Sequence, residues 1–266
     1  MGYLTTHEEG TPICSFQSNA VVPIEHLCAY FSPQQAGSGT PSPENVREIQ
    51  GWNGIEVYNY TKTDVNTDII PNEYKKVEYL ESTGTQYIDT GYSPTLDTSA
   101  ECEYLFTGSF SGDKMLFGAA DNANPFYAEA YDGARWYCGC GGIGYRNVLS
   151  SVGTTSGNWY LLKMDKSQLN IDGHIVTPNR TYSGLTSHSI YIFAWHVTTA
   201  QYLHDKLRIR KLSFYESGVL SANYVPCRRK SDNKPGMYDT VTGNFYTNAG
   251  TGEFVCGPDI GETISI

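Results

Sequence analysis

Residues 236–254 read Gly-Met-Tyr-Asp-Thr-Val-Thr-Gly-Asn-Phe-Tyr-Thr-Asn-Ala-Gly-Thr-Gly-Glu-Phe, and no other stretch constrains the fold as much. Residues 239–243 spell a tight turn between short aromatic strands, and residues 248–252 spell a second. Glycine takes the positive backbone angles such turns need, while Asp and Asn hydrogen-bond back to their own backbone. The stretch has a distant partner near residue 80, and the two together bracket one domain.

The rest of the chain agrees with a strand-and-turn protein. Its 21 Tyr, 10 Phe and 27 Gly, with 17% charged residues, suit an all-β fold with many turns. A tyrosine tolerates a half-wet sheet face because its ring is apolar and its tip polar. A net charge of −10 argues against a nucleic-acid partner, whose phosphates demand clustered Lys and Arg. The basic groups at 206–211 and 228–230 read as solvated strand faces, with Arg208 and Arg210 alternating with Leu207 and Ile209. No run approaches the roughly 18 apolar residues of a membrane helix, and the N-terminus has neither the basic start nor the apolar core of a signal peptide. The expectation is a chain made in the cytoplasm that does not leave by the usual export route. Seven cysteines contain no C-x-x-C pair; Cys138 and Cys140 face one way on a strand and read as buried thiols.

Three segments follow. Residues 1–73 carry short apolar stretches and a Pro-, Gly-, Ser- and Gln-rich linker at 32–44, too little to bury a stable core alone. They are expected to form an extended N-terminal arm, with short strands or one helical turn near 24–30. Residues 74–258 show short strands between turn signals, including Asp-Gly at 132–133 and at 172–173, the pattern of a two-sheet antiparallel sandwich. Residues 259–266 read as a loose tail or a short strand for a partner.

Chemistry is sparse. Glu101-Cys-Glu103 is the nearest thing to a carboxylate pair, its side chains about 6.5–7 Å apart on one strand face. Retaining glycosidases place theirs about 5–5.5 Å apart. The expected role is a water-facing sheet surface with Cys102 inward. No Gly-x-Ser-x-Gly accompanies the histidines, and Gly-Gly-x-Gly at 141–144 precedes no helix, so a flexible strand-end loop is expected there. No catalytic residue, metal ligand or cofactor is assigned. For sugar binding, which stacks a ring face on an aromatic and fixes hydroxyls with polar groups, the candidates are Tyr127, Tyr131, Trp136 and Tyr145 with Asn122, Asp132 and Arg146. Trp195 stands at another strand end. Core packing is the competing role for every one of these rings.

The run at 77–91, Val-Glu-Tyr-Leu-Glu-Ser-Thr-Gly-Thr-Gln-Tyr-Ile-Asp-Thr-Gly, resembles the opening of concanavalin A-like (laminin-G-like) jelly-roll domains carried by phages and surface proteins of gut bacteria. Residues 207–218, 224–227 and on to Phe254 resemble its closing part, and Trp-Tyr-Leu-Leu-Lys-Met at 159–164 with Ile-Asp-Gly at 171–173 its central hairpin. Pro-Ile-Cys-Ser-Phe at 12–16 and residues 35–52 are similar to an N-terminal module of phage structural proteins. The resemblance implies a jelly-roll at 74–258 behind an anchoring arm at 1–73. It further implies a non-enzymatic component of the virion surface, assembled in the host cytoplasm. Expected partners are other capsid or tail proteins, further copies of the chain as a homo-oligomer, and host-surface or mucin glycans; no nucleic acid or membrane is expected. Two rivals remain open: a purely architectural capsid decoration, and a polysaccharide-degrading enzyme of the same fold.

Overall fold

A computed structural model describes residues 2–5, 12–16, 69–107, 112–121, 124–131, 135–148, 152–197, 200–203 and 206–260. The chain divides into two compact units, Met1–Asn66 and Thr67–Ile266. In the first, strands Gly2–Thr5 and Pro12–Phe16 pair antiparallel, with Gly2 opposite Phe16 and Leu4 opposite Cys14. Residues 17–68 of the expected arm, including the turn at 24–30, lie outside the described residues, while 69–73 belong to the second unit, where the Lys230 N–H donates to the Glu73 carbonyl.

The second unit is an all-β sandwich, with no helix among the described residues. One sheet runs, edge to edge, Arg180–Thr181, Ile143–Val148, Arg135–Cys140, Asn124–Tyr131, Lys114–Asp121, Tyr191–Ile192 and Ile88–Asp89. Strand Ala194–Val197 joins it parallel to Lys114–Asp121 and pairs on its other side with Ala200–Leu203. The opposing sheet runs His174–Val176, Leu169–Ile171, Trp159–Met164, Thr98–Phe106, Leu207–Glu216, Val219–Arg229, Pro235–Asp239 and Asn244–Thr247.

Alternation of apolar residues aims one face of each sheet at the other. Phe126, Ala128 and Ala130 of the first sheet, with Trp136, Cys138, Cys140 and Tyr145, share one core with Cys102, Tyr104, Phe106, Leu162 and Phe214 of the second. Trp136 meets Tyr104 edge-on at 5.5 Å between ring centroids, and Phe117 meets Phe214 at 5.4 Å. Such edge-to-face pairs add about 0.5–1.5 kcal/mol each to the burial of the rings themselves. Burial pushes the Cys138 thiol well up and the Cys140 thiol up to about 12, so both behave as small apolar groups.

The turns form as their residues dictate. Asp172 and Gly173 both take positive φ, 47° and 86°, and close Ile171 against His174 in a two-residue hairpin. Gly141 and Gly142 do the same between Cys140 and Ile143, at 57° and 80°. The glycine run at 138–144 is therefore a tight hairpin inside the sheet, not the flexible loop its composition suggested. Asp239 caps its turn by accepting the Val241 N–H at 3.0 Å and the Thr242 hydroxyl at 2.7 Å.

The expected partner of the closing stretch is found where predicted. Leu80–Ser82 pairs with Val255–Cys256, Thr85 exchanges hydrogen bonds with Thr251, and the Asn248 side-chain oxygen accepts the Tyr87 N–H at 3.1 Å. The start of the expected tail is also tied down. Asp259 bridges to Val77 and accepts two bonds from Arg228, and the Ile260 N–H donates to Lys76.

Candidate functional site

One transverse row of the first sheet builds the site. Arg180 lies opposite Gly144, Gly144 opposite Gly139, Gly139 opposite Tyr127, Tyr127 opposite Gly118, and Gly118 opposite Trp195. Residues paired across a sheet share a face, and here it is the face turned away from the core. The glycines let large rings lie flat on the backbone. An added Cβ would stand 3.0 Å from the Tyr127 ring at Gly139, 3.0 Å from Trp195 Cδ1 at Gly118, and 2.6 Å from the Tyr182 ring at Gly144. Tyr127 and Trp195 consequently stack, centroids 5.2 Å apart and planes 16° from parallel.

Trp195 reaches this row because Phe193 adopts φ 68°, a left-handed conformation that costs a non-glycine residue about 1–3 kcal/mol. That kink turns the chain from antiparallel Tyr191–Ile192 to parallel Ala194–Val197 beside one strand. Burial of the Phe193 ring, packed at 5.2 Å against Phe254, opposes the cost. On the other flank Asn179 clamps Arg146: its side chain accepts the Arg146 N–H at 2.9 Å and donates to the Arg146 carbonyl at 2.8 Å. The Asn179 and Tyr182 N–H groups bond the Gly144 and Gly142 carbonyls, which straps residues 179–182 to the sheet edge.

Between these flanks lies a cavity of about 370 Å³, lined by Tyr127, Arg146, Arg180, Tyr182, Ser183 and Trp195 among others. Its size falls within the ~300–1,000 Å³ of small-molecule sites. Three side-chain atoms of this lining, Arg146 Nε, Tyr182 Oη and Trp195 Nε1, are buried without a hydrogen-bond partner. Buried polar atoms are paired in the great majority of cases, and each orphan costs about 1–3 kcal/mol. Arg146 and Tyr182 lie close to each other and to Tyr127 without an aligned hydrogen bond satisfying these atoms, so the lining keeps polar groups able to turn to a ligand. Burial raises the Tyr127 pKa far above the ordinary phenol, so that hydroxyl stays a proton donor. Partial burial disfavours the Arg146 charge, but the neighbouring Tyr127 and Tyr182 oxygens outweigh it and raise its pKa further.

Of the residues singled out from sequence, Tyr127, Arg146 and Trp195 meet at this cavity. Tyr131 lies off its lining, stacked on Tyr137 at 4.4 Å. Trp136 and Tyr145 are withdrawn from the ligand set. They are fully buried between the sheets, where Trp136 Nε1 donates to the Val152 carbonyl and the Tyr145 hydroxyl to the Asp165 carbonyl. Tyr145 precedes Arg146 on one strand, so the two must point to opposite faces. Asn122 and Asp132 lie outside the described residues. Sequence reading missed Arg180 and Tyr182, which sit on and beside a two-residue strand without alternation.

Glu101 and Glu103 lie on the outer face of the other sheet. Glu101 is bound by Lys163 at 3.2 Å and Lys211 at 3.1 Å, and Glu103 by Arg210, while Cys102 points inward. Half-burial works to raise the Glu101 pKa, but the two lysines outweigh it and lower the value.

No protein-family model matches this chain, and no curated protein sequence matches it either.

Proposed function

We propose that residues 74–258 form a glycan-binding jelly-roll that acts without catalysis, displayed on a phage particle by residues 1–73. The observation that carries the binding reading is the convergence of three unpartnered polar atoms and a stacked Tyr127–Trp195 pair on one cavity. A sugar presents an apolar C–H face to an aromatic ring and hydroxyls at its rim, which matches such a lining. The non-catalytic reading is supported by the ion pairs that occupy Glu101 and Glu103, and by a cavity lining with no carboxylate among its described residues. A glycan array probed with the full chain tests the binding. Reproducible binding that Trp195→Ala removes supports it, and silence across the array favours an architectural role. Sugar released from host-wall polysaccharide by the purified chain would refute the non-catalytic reading.

The virion setting rests on the sequence resemblance of residues 12–16, 35–52 and 77–91. On a particle, repeated copies multiply a modest single-site affinity by avidity. Electron micrographs of particles labelled through this protein are the test; a chain that stays monomeric and associates with no particle overturns it.

A further inference from the structure

We infer that the cavity takes an acidic sugar, one whose ring carries a carboxylate, with Arg146 and Arg180 as its counter-charges; this rests on the glycan-binding reading above. The contrast with the opposite sheet carries the inference. There, Arg208 sits on Glu81 at 2.7 Å, Arg228 on Asp259 at 2.8 Å, Arg229 on Asp232 at 2.6 Å, and Arg210 on Glu103. Neither Arg146 nor Arg180 forms a salt bridge among the described residues, although the buried Glu129 carboxyl lies near enough to feel the Arg146 charge. Each instead lies over an aromatic ring, Arg146 over Tyr137 at 4.8 Å and Arg180 over Tyr182 at 5.3 Å. In a chain of net charge −10, two arginines on one cavity whose lining holds no carboxylate form a local positive field.

A neutral sugar would leave that charge uncompensated in a partly desolvated place, whereas a carboxylate matches the planar guanidinium fork with two parallel bonds. Arg146 Nε is one prong of that fork and lacks a partner. Register places the two arginines together: Arg180 is opposite Gly144, and Arg146 follows Gly144 by two residues on the same face. Beside them the Tyr127–Trp195 pair offers a platform for the sugar ring, so one ligand can engage charge and stack at once.

Calorimetric titration of the full chain with glucuronate, galacturonate and N-acetylneuraminate, each alongside glucose and galactose, tests this. Glucose 6-sulfate and acetate serve as further probes. The expected result is binding of at least one acidic sugar about tenfold or more tighter than its neutral counterparts. Arg180→Ala should abolish that preference with an unchanged melting temperature, since Arg180 is exposed on an edge strand. Arg180→Lys should restore part of it. Equal affinity for neutral sugars overturns the acidic assignment and leaves glycan binding standing. A sulfated sugar binding as tightly as the acidic ones overturns the carboxylate, and acetate binding as well as any sugar overturns the sugar. An array that lights up only with neutral glycans defeats this inference alone, and silence throughout defeats the binding reading beneath it.

Discussion

Trp195 lies against Tyr127 with ring centroids 5.2 Å apart, although 67 intervening positions and a change of strand direction separate them. Their contact depends on Gly118, the residue opposite both in the sheet. The stacked pair leaves the indole Nε1 buried without a partner, so this ring carries a cost that packing alone does not remove.

Replacing Trp195 by Phe separates stability from binding. The phenyl ring keeps the stack and deletes the orphaned N–H, so the melting temperature should hold or rise. Glycan affinity should fall about tenfold, the value of one hydrogen bond of roughly 1.4 kcal/mol. Thermal melts and calorimetry read both; a large loss of stability with intact binding would contradict the assignment.

Gly144→Ala tests the flat seating of Tyr182. The new methyl group would stand 2.6 Å from the ring, which must swing away from the sheet. Tyr182 is half-buried beside an edge strand, so the expected cost is about 1–3 kcal/mol, as for other overpacking changes. Binding should nevertheless collapse, because the ring forms one wall of the cavity. Gly112→Ala is the control for binding: its methyl group meets no atom within 4 Å, but the φ of 75° costs about 1–2 kcal/mol, so stability falls comparably while binding should stay intact.

Glu129 gives the fold a pH dependence near neutrality. Burial, with Asp113 nearby, pushes its pKa up to about 7, against about 4.3 in an unfolded chain. The folded state therefore holds a proton that the unfolded state has lost between those values, and stability must fall as pH rises through that window. The full loss is about 4 kcal/mol, reached once pH is well above 7. Glu101, Asp165 and Glu216 have lowered pKa values, so their contributions disappear only in stronger acid. Urea unfolding between pH 5 and 8 should show declining stability in the native chain and a flat profile in Glu129→Gln; parallel slopes would exclude Glu129 as the source.

Asn248→Ala should loosen the seam between the opening and closing strands. Its side-chain oxygen accepts the Tyr87 and Gly250 N–H groups at 3.1 and 2.8 Å, and its amide donates to the Gly252 carbonyl at 2.8 Å. Losing these bonds should cost about 1–3 kcal/mol and speed amide exchange at Tyr87 first. Exchange unchanged at Tyr87 would show that the backbone bonds there suffice.

Local patterns carried the fold. Asp172-Gly173 turns as its residues demand, Leu207 and Ile209 face inward in alternation with the paired Arg208 and Arg210, and residues 248–252 meet 85–87 as expected. The site was only half legible. Tyr127, Arg146 and Trp195 were recognisable as residue types, but Trp136 and Tyr145 look equally suitable until strand phase decides which face each takes. Arg180 and Tyr182 carry no periodicity at all; the Asn179 clamp and the bare surface of Gly144 place them, and both are tertiary effects. Trp195 depends on the left-handed Phe193, a conformation that propensity argues against.

The bridge between Val77 and Asp259, continued by Leu80–Ser82 against Val255–Cys256, brings the two ends of the sandwich side by side. A body closed in this way can be spliced into a surface loop of an unrelated protein without prising the recipient apart. It is a cassette, ready for transplantation as a unit.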